Sequence, residues 1–279
     1  MQTLLHTIKE IALQTHTLLQ QANCNYLESI NSNGDTQLQV DVMADKLIEE
    51  KFLALPCVKG ICSEEKKEAI YKQEGEFLIA YDPLDGSSLV DSNLSIGSIF
   101  GIYKTEFSGK NLVASSYIIY GPKIEIIFAY QNQVLHLGFN GKEWKEKEMP
   151  KLKEKGKINA TGGTQKNWST MHKNIIESFF QEGYRLRYSG GMVPDLHQIL
   201  IKGGGIFSYP ATSDAPNGKL RKLFEVFPFA YVYECCGGEA ITEDGKRLLD
   251  LPCKNLHDTT PCFFGSKYEI SKFKNTKGF

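Results

Sequence analysis

Two acidic side chains, a glycine and two serines occur together in the segment Asp82-Pro83-Leu84-Asp85-Gly86-Ser87-Ser88. Two carboxylates three residues apart can hold a hard divalent cation, because such ions prefer oxygen ligands. Gly86 lets the backbone approach a ligand closely. Ser87 and Ser88 suit the start of a helix, where free N–H groups and the helix dipole attract an anion such as phosphate. Cation ligands beside an anion cradle predict metal-assisted phosphoryl chemistry.

More acidic residues precede this segment, namely Asp35, Asp41, Glu64 and Glu65, and the chain contains 11 aspartates in all. Like charges brought close together repel strongly unless cations or protons intervene, so their convergence would indicate a site for two or three metal ions. Two alternatives remain open at this point. The pattern Asp-Pro-x-Asp-Gly is also common in simple turns. Glu64-Glu65 opens a charge run that a solvated face would explain equally well.

Hydrophobic spacing places the acidic segment at the end of a buried strand. Residues 77–81 form a continuous apolar run that Asp82-Pro83 ends, which predicts a strand buried on both faces. In open α/β sheets, ligands bind outside the carboxyl ends of the strands. Upstream, the first ~30 residues have helical spacing, residues 38–42 alternate as a strand with Asp41 on its polar face, and residues 43–55 are helical again.

The remaining elements predict two halves. Four β-rich runs separated by turn signals predict an antiparallel meander at residues 96–103, 113–120, 124–130 and 134–139. A stretch rich in lysine and glutamate at 142–157 predicts the boundary between halves at 1–155 and 156–279, although a solvated loop would have the same composition. Beyond it, helical runs at 168–182, 192–202 and 219–236, the last interrupted by Pro228, alternate with strands at 205–209, 239–242 and 262–264, which predicts an α/β layer.

Composition excludes several classes of protein. A chain of 279 residues can bury a core without disulfides or a structural metal. The net charge of −1 argues against binding to nucleic acid or to an anionic membrane surface. The chain begins without a signal-peptide pattern and has no apolar run near the ~20 residues that span a bilayer. Seven cysteines without zinc-ligand spacing predict reduced thiols in a cytoplasmic protein.

Three segments carry a resemblance to a known family. Ser63-Glu64-Glu65, followed by residues 82–88, resembles the lithium-sensitive, magnesium-dependent phosphatases. Residues 187–197 (RYSGGMVPDLH) and 218–230 (GKLRKLFEVFPFA) resemble the sugar-phosphate segment and the signature of class I fructose-1,6-bisphosphatases. The resemblance implies a layered α-β-α-β-α fold, usually assembled as a homotetramer. It also implies Mg²⁺-dependent hydrolysis of the 1-phosphate of D-fructose 1,6-bisphosphate, a step of gluconeogenesis.

The same resemblance implies roles for individual residues. Two or three Mg²⁺ ions, with Mn²⁺ or Zn²⁺ as substitutes, would be held by Glu64, Asp82, the Leu84 carbonyl, Asp85 and Glu225, with Asp35 close to a third ion. Asp41 and Glu65 would share a proton and activate the attacking water. The departing phosphate would bind at Asp85, Gly86, Ser87 and Ser88. The sugar and the retained phosphate would bind at Asn159, Tyr188, Tyr209 and Lys219, with Arg187 reaching that phosphate from a neighbouring subunit.

Departures from the family pattern predict a change in regulation. The chain lacks the family's Thr-Gly-Glu adenylate-binding stretch, and Glu76-Phe77 replaces a Lys-Tyr pair. We therefore expect inhibition by adenylate to be weak or absent. Other substrates and roles remain open. Sedoheptulose 1,7-bisphosphate is the nearest rival, alone or as one of two substrates. An inositol monophosphatase-like activity or a non-catalytic sugar-phosphate-binding regulator would fit less well.

Overall fold

The computed structural model describes residues 1–21, 26–30 and 36–277. The six helices in this part of the chain are α1 Gln2–Gln21, α2 Gln39–Leu53, α3 Thr170–Gln181, α4 Met192–Ile201, α5 Phe227–Cys235 and α6 Lys267–Lys277. The strands are β1 Tyr26–Ile30, β2 Thr36–Leu38, β3 Val58–Ser63, β4 Ile70–Tyr71, β5 Phe77–Asp85, β6 Ile96–Lys104, β7 Leu112–Tyr120, β8 Ile124–Tyr130, β9 Gln133–Phe139, β10 Trp144–Lys147, β11 Ile158–Thr161, β12 Arg185–Leu186, β13 Gly205–Tyr209, β14 Glu239–Ile241 and β15 Cys262–Gly265.

Eight strands form the larger sheet, in the order β10-β9-β8-β7-β6-β5-β3-β4. Strands β5 to β10 are antiparallel neighbours, so the predicted meander is confirmed, and its four predicted strands differ from the observed ones by at most one residue at either end. Strand β3 instead runs parallel to β5. The lysine- and glutamate-rich stretch, predicted to be a linker, contributes strand β10 to the edge of the sheet.

Five strands form the smaller sheet, in the order β12-β11-β13-β15-β14. Strand β11 runs parallel to both β12 and β13, whereas β15 is antiparallel to its neighbours. The predicted strands β13, β14 and β15 are confirmed within one residue at either end. Strands β3, β4, β11 and β12 and helix α6 were missed, because most of these elements are too short to show a period.

Three apolar cores hold five layers together, the middle core packing on both faces of the central helical layer. One core packs α1 and α2 against the larger sheet, through residues such as Ile8, Phe52 and Phe100. A second fills the space between the two sheets, where α4 and α5 lie. A third packs α3 and α6 against the outer face of the smaller sheet. This confirms the α-β-α-β-α arrangement. Within the described residues, no helix is both long and apolar enough to cross a membrane.

Two predicted elements near the N-terminus are wrong. The first helix ends at Gln21, and Tyr26–Ile30 is a strand rather than its continuation. The strand predicted over 38–42 is replaced by α2, which begins at Gln39. The apolar alternation there covers only three residues, while the buried residues of α2 recur every three or four positions. Val42, which belonged to the predicted strand, is 41% exposed.

Both prolines near the acidic residues behave differently from the prediction. Pro83 was expected to end the strand, but β5 continues through it to Asp85. Pro228 was expected to interrupt a helix over 219–236. Instead it lies in the first turn of α5, where its missing N–H costs nothing. A π-helical turn at Lys222–Val226 precedes α5 and carries Glu225.

Candidate active site

Three buried carboxylates meet at one point between the sheets. Asp82 and Asp85 come from β5, and Glu225 comes from the π-helical turn before α5. One oxygen atom of each side chain lies within 4.8 Å of one oxygen of the other two. Carboxylates this close and this buried need a cation or protons between them. Acidic residues that are far apart in the sequence therefore come together here, namely Asp82, Asp85 and Glu225.

A bulge in β5 is what aims Asp82 and Asp85 at the same point. Residues three apart on a regular strand face opposite sides of the sheet. Here Asp82 pairs with Ile99 while Asp85 pairs with Gly97, so three steps on β5 match two steps on β6. The extra residue brings both carboxylates to one face, and Pro83 within it needs no ladder hydrogen bond. The Leu84 N–H donates to Asp82 Oδ1 at 3.0 Å, which fixes the bulged segment.

Helix α4 holds the Asp85 carboxylate by its first two amides. The Met192 N–H donates to Oδ1 at 3.0 Å and the Val193 N–H donates to Oδ2 at 2.6 Å. The helix can come this close because Gly97, beside Asp85 in the ladder, has no side chain. A Cβ on Gly97 would lie 2.4 Å from Val193 Cγ1. The carboxylate therefore has a position that is set by α4 as well as by β5.

Burial raises the pKa of all three carboxyl groups. The pKa of Asp85 rises to about 7, because burial and the charge of Glu225 outweigh the hydrogen bonds from Val193 and Met192. Burial and the charges of Asp85 and Glu225 raise the pKa of Asp82. Burial also raises the pKa of Glu225, although the Arg221 N–H donates to its Oε2 at 2.6 Å. A divalent cation would relieve this repulsion, and three oxygen donors without nitrogen or sulfur fit a hard cation such as Mg²⁺.

Glu64 lies at the carboxyl end of β3 but is engaged differently. Its N–H donates to the Tyr81 carbonyl at 3.0 Å, which places it beside the trio on the parallel strand. Its Oε1 forms an ion pair with the buried Arg221 guanidinium. The structure therefore brings Glu64 to the site but does not include it in the three-carboxylate cluster. Arg221, which the sequence did not single out, also contacts Glu225 through its N–H and so connects the two acids.

Asp41 and Glu65 flank the carboxylate trio. Asp41 lies buried in the first turn of α2, and Glu65 follows β3. The charges of both groups contribute to the raised pKa of Asp82, after burial and the charges of the other two carboxylates. Both residues are thus close enough for their charges to act on Asp82, while the shared proton stays a prediction. Asp35, the predicted neighbour of a third ion, lies outside the described residues.

Asp45, one turn after Asp41 on α2, ties this helix to the segment that carries Glu65. It accepts hydrogen bonds from Ser63 Oγ at 2.5 Å and from the Tyr81 hydroxyl at 3.0 Å. Lys66 Nζ lies 2.9 Å from its Oδ2. The Glu65 N–H in turn donates to Ser63 Oγ at 3.2 Å. Sequence reasoning missed Asp45 and Lys66; their only signal is the four-residue spacing from Asp41 and the lysine next to Glu65.

The serines after Gly86 form a smaller element than predicted. Gly86 has φ 80°, a left-handed conformation that favours glycine. Ser87–Leu89 is a single 3₁₀ turn, where the sequence predicted the start of a helix. Its first N–H groups lack partners within the turn itself, as at any helix start. The Cα of Gly191 lies 3.2 Å from where a Gly86 Cβ would be, so this turn packs against the segment that leads into α4.

Tyr188 and Tyr209 lie close together, near enough to the trio for its charges to add to burial in raising the pKa of both tyrosines. A Cβ on Gly162 would meet the Tyr209 ring at 2.5 Å and the Tyr188 hydroxyl at 2.9 Å, so both side chains crowd this glycine. Burial, then the charges of Tyr209, Asp195 and Asp85, raises the pKa of Tyr188, whose ring is nevertheless 42% exposed. The tyrosines thus lie in reach of the carboxylate trio.

The remaining predicted sugar-site residues divide into two groups. Lys219 is exposed, and its charge lowers the pKa of Glu225, so it lies near the trio. Arg187 is exposed next to Tyr188. Asn159 is 0% exposed, and both polar atoms of its side chain are buried without a hydrogen-bond partner among the described residues. Its predicted contact with sugar stays a prediction, since both amide atoms keep their hydrogen-bonding capacity within the described part of the chain.

The comparison with known families agrees with this geometry. A family model described as the N-terminal domain of fructose-1-6-bisphosphatase matches residues 1–142. The model of the C-terminal domain matches residues 152–277.

Individual proteins are similar over nearly the whole chain. A relative from Helicobacter hepaticus, named fructose-1,6-bisphosphatase class 1, is 60% identical and covers 97% of this chain and 97% of its own length. A relative of the same name from Campylobacter concisus is 54% identical over 95% of this chain and 94% of its own. The holo form of Leishmania major fructose-1,6-bisphosphatase superposes with a TM-score of 0.94 at 27% identity, covering 99% and 94% of the two chains. A putative sedoheptulose-1,7 bisphosphatase from Toxoplasma gondii gives a TM-score of 0.90 at 30% identity, covering 98% and 93%.

Proposed function

The chain belongs to the fructose-1,6-bisphosphatase family, and from this membership we propose how its residues remove the 1-phosphate of D-fructose 1,6-bisphosphate. The enzyme is a phosphoric monoester hydrolase whose products are fructose 6-phosphate and inorganic phosphate. Such hydrolysis is very slow without a catalyst and needs ~20 kcal/mol or more of barrier lowering.

The observation that carries the proposal is the buried trio Asp82, Asp85 and Glu225. We propose that it binds Mg²⁺, together with Glu64 once that side chain leaves Arg221, and with the Leu84 carbonyl. A bound divalent ion polarises the phosphoryl oxygens, lowers the pKa of water and neutralises charge on the leaving oxygen. The donor set fits because all its members are oxygens and because the repulsion within the trio needs a cation. We propose that each subunit binds two or three such ions, and that Mn²⁺ or Zn²⁺ can replace Mg²⁺.

The proposed proton transfer uses Asp41 and Glu65. Two carboxylates held close together share one proton, and this raises one pKa toward the working pH, where a general base is most effective. The pair takes a proton from the attacking water as the water oxygen bonds to phosphorus. The bond from phosphorus to the C1 oxygen breaks, and that oxygen takes up a proton to become the sugar hydroxyl. Asp45 maintains the pair by holding α2 against the segment of Glu65.

The proposed substrate contacts lie on either side of the trio. Gly86, Ser87 and Ser88, with Asp85, receive the departing phosphate through their amides and hydroxyls. Tyr188 and Tyr209 donate hydroxyls, and Lys219 supplies a positive charge to the retained phosphate. Arg187, exposed beside Tyr188, is the residue that we expect to reach that phosphate in a neighbouring subunit. Asn159 stays in this set as a proposed sugar contact, because both polar atoms of its buried side chain lack a hydrogen-bond partner among the described residues.

An assay of phosphate release from fructose 1,6-bisphosphate with and without Mg²⁺ tests the proposal. The Asp85→Asn variant is expected to lose at least 10³-fold in kcat, since it removes a charged ligand at the point of transition-state charge. The matched control is Asp91→Asn, which makes the same chemical change at an exposed residue six positions away. Equal activity of the two variants would contradict the proposed metal site.

A second substrate has one specific observation in its favour, the likeness to the putative sedoheptulose-1,7 bisphosphatase. The two bisphosphates present the same 1-phosphate end to the carboxylate trio and differ by one carbon. The ratio of kcat/KM for the two substrates decides between one activity and two. A preference for a sugar monophosphate would instead contradict the role given to Lys219 and Tyr188.

Assembly, location and regulation complete the proposal. We propose a homotetramer, which sedimentation equilibrium would test, and a cytoplasmic location, which fits six described cysteines that are all free thiols. We also propose that adenylate inhibits weakly or not at all, since Glu76 carries a negative charge and Lys104 Nζ lies 2.6 Å from its carboxylate. Strong inhibition by adenylate in a titration would contradict this.

A further inference from the structure

We propose that Tyr117 and His197 are positioning residues for the Asp85 carboxylate, although neither lies at the metal site. They act through α4, by fixing the helix whose first amides hold that carboxylate. This inference rests on the proposed role of Asp85 as a metal ligand. It concerns a buried polar network that the hydrolysis reaction itself does not use.

The link between α4 and Asp85 is direct. Both carboxylate oxygens accept an amide of the first turn, from Met192 and Val193. Backbone amides cannot move independently of their helix, so a shift or tilt of α4 displaces the carboxylate or breaks a hydrogen bond. The affinity of a metal site depends on ligand positions set by the groups around the ligands. Contacts that fix the position of α4 therefore affect the metal affinity of the site.

His197 attaches the middle of α4 to the larger sheet. It lies four residues after Val193, one turn further along the helix. Its Nδ1 lies 3.0 Å from the Tyr117 hydroxyl on β7, and the two rings pack edge to face with centroids 5.8 Å apart. Its Nε2 lies 3.7 Å from Glu125 Oε2 on β8. The helix is thus hydrogen-bonded to β7 through one side chain, whose other ring nitrogen lies beside the Glu125 carboxylate of β8.

The neighbouring groups determine which ring nitrogen of His197 carries the proton. Burial lowers the pKa of His197 to about 4, so the ring is neutral near pH 7. A neutral imidazole has one N–H and one acceptor nitrogen. The negative charge of Glu125, 3.7 Å from Nε2, favours an N–H on that nitrogen, so we assign the N–H to Nε2 and leave Nδ1 to accept from the Tyr117 hydroxyl. Nδ1 then has a hydrogen-bond donor, and the Nε2 N–H has a negative charge nearby.

The far end of the network is anchored in the sheet. Glu125 Oε2 lies 2.6 Å from His136 Nε2 on β9, and Glu125 Oε1 lies 2.6 Å from Lys147 Nζ on β10. The Tyr117 ring also stacks on Phe229 of α5, with centroids 4.8 Å apart. Side chains with this many fixed contacts occupy one position, so the sheet gives α4 a defined point of attachment one turn from Asp85.

The Tyr117→Phe variant tests the proposal, because it removes one hydroxyl and keeps the buried ring. Its matched control is Tyr231→Phe, which removes a hydroxyl that donates to the Val113 carbonyl at 3.1 Å, on α5 and away from α4. Mn²⁺ binding is measured by calorimetry in the absence of substrate, alongside thermal unfolding, KM and the Mg²⁺ dependence of phosphate release. Metal binding to the wild type and to Asp85→Asn establishes the site in the same experiment.

For Tyr117→Phe we expect Mn²⁺ affinity to fall about fivefold, or about 1 kcal/mol, with KM for the bisphosphate changed less than about twofold. Tyr231→Phe should bind Mn²⁺ like the wild type. The His197→Phe variant should reproduce the loss, and the double variant should lose no more than the larger single loss, because both changes break the same link.

Unchanged Mn²⁺ affinity in both Tyr117→Phe and His197→Phe would overturn the proposal and leave these residues a purely structural role. Full Mn²⁺ affinity in Asp85→Asn would instead contradict the proposed site, so the two failures are distinguishable. If His197→Phe does not fold, the comparison of Tyr117→Phe with Tyr231→Phe still decides the question.

Discussion

Replacing Gly97 with alanine is expected to disable the enzyme without touching any residue that binds the substrate. Gly97 pairs with Asp85 across the β5–β6 ladder and lies under the first turn of α4. The absent side chain is what lets Val193 approach the sheet closely enough to donate its N–H to Asp85. The substitution therefore acts on the Asp85 carboxylate through α4. The displacement of the helix can be derived from the contact distances.

The clash created by Gly97→Ala is large. A Cβ there would lie 2.4 Å from Val193 Cγ1, 2.5 Å from Val193 Cβ and 2.6 Å from the Ile118 carbonyl oxygen. Ordinary contacts between carbon atoms are about 3.5–4.0 Å, so α4 must move by about 1 Å or more. Overpacking of this kind costs about 1–3 kcal/mol of stability. A misplacement of about 1 Å in catalytic groups can cost about 10²-fold in rate, which is the loss of kcat that we expect.

The assay compares kcat, KM and the free energy of unfolding in urea for Gly97→Ala and Gly109→Ala. A Cβ on Gly109 would lie 2.4 Å from the Leu249 carbonyl oxygen, so this control meets an equally short contact far from α4. We expect a similar loss of stability in both variants and a loss of kcat only in Gly97→Ala. Adding Val193→Ala should restore part of the lost activity. Equal kcat in the two glycine variants would refute the argument that α4 sets the position of Asp85.

Three further outcomes follow from the site and its surroundings. The Asp45→Asn variant keeps an acceptor for Ser63 but loses its ion pair with Lys66, so kcat should fall about tenfold at unchanged KM; a change in KM alone would contradict its proposed role. The Lys219→Met variant should raise KM for fructose 1,6-bisphosphate about tenfold or more, and unchanged KM would remove this residue from the phosphate site. Hydrogen bonds from histidine and lysine lower the pKa of Glu125 from 4.5 to about 2, so their stabilisation is present above pH 4.5 and lost as pH falls toward 2. Urea unfolding of Glu125→Gln should therefore show a deficit of about 1–2 kcal/mol at pH 7 that shrinks below pH 4, and a deficit independent of pH would contradict this origin.

Local patterns in the sequence predicted the elements whose signals are local. The meander strands carry alternating or continuous apolar runs with turn residues between them, and their bounds were predicted within one residue. The acidic segment 82–88 was placed correctly at the carboxyl end of a buried strand, although that strand continues through Pro83 to Asp85. Glu225 and Lys219 were found only through the resemblance of residues 218–230 to a known family, because nothing in their spacing relates them to Asp82.

Features that depend on tertiary structure could not be predicted. The bulge that turns Asp82 and Asp85 to one face is visible only when β5 is paired with β6. The ion pair between Arg221 and Glu64 joins residues that are far apart in the sequence, and no pattern within either segment indicates it. The burial of the Asn159 side chain, with both polar atoms lacking a hydrogen-bond partner among the described residues, depends on tertiary packing that no local pattern reports.

The origin of the trio has a consequence for biosynthesis. Asp82 and Asp85 are made early, but their third partner is supplied by the π-helical turn at Lys222–Val226, long after the meander has been translated. A nascent chain that stops before this turn has two mutually repelling acids and an incomplete cation site. If the trio binds the proposed ion, the complete site forms only after the turn that carries Glu225 has been translated and has packed against β5. A cation that binds only this completed state would favour it by mass action, so the proposed ion would also stabilise the packing of this turn against β5.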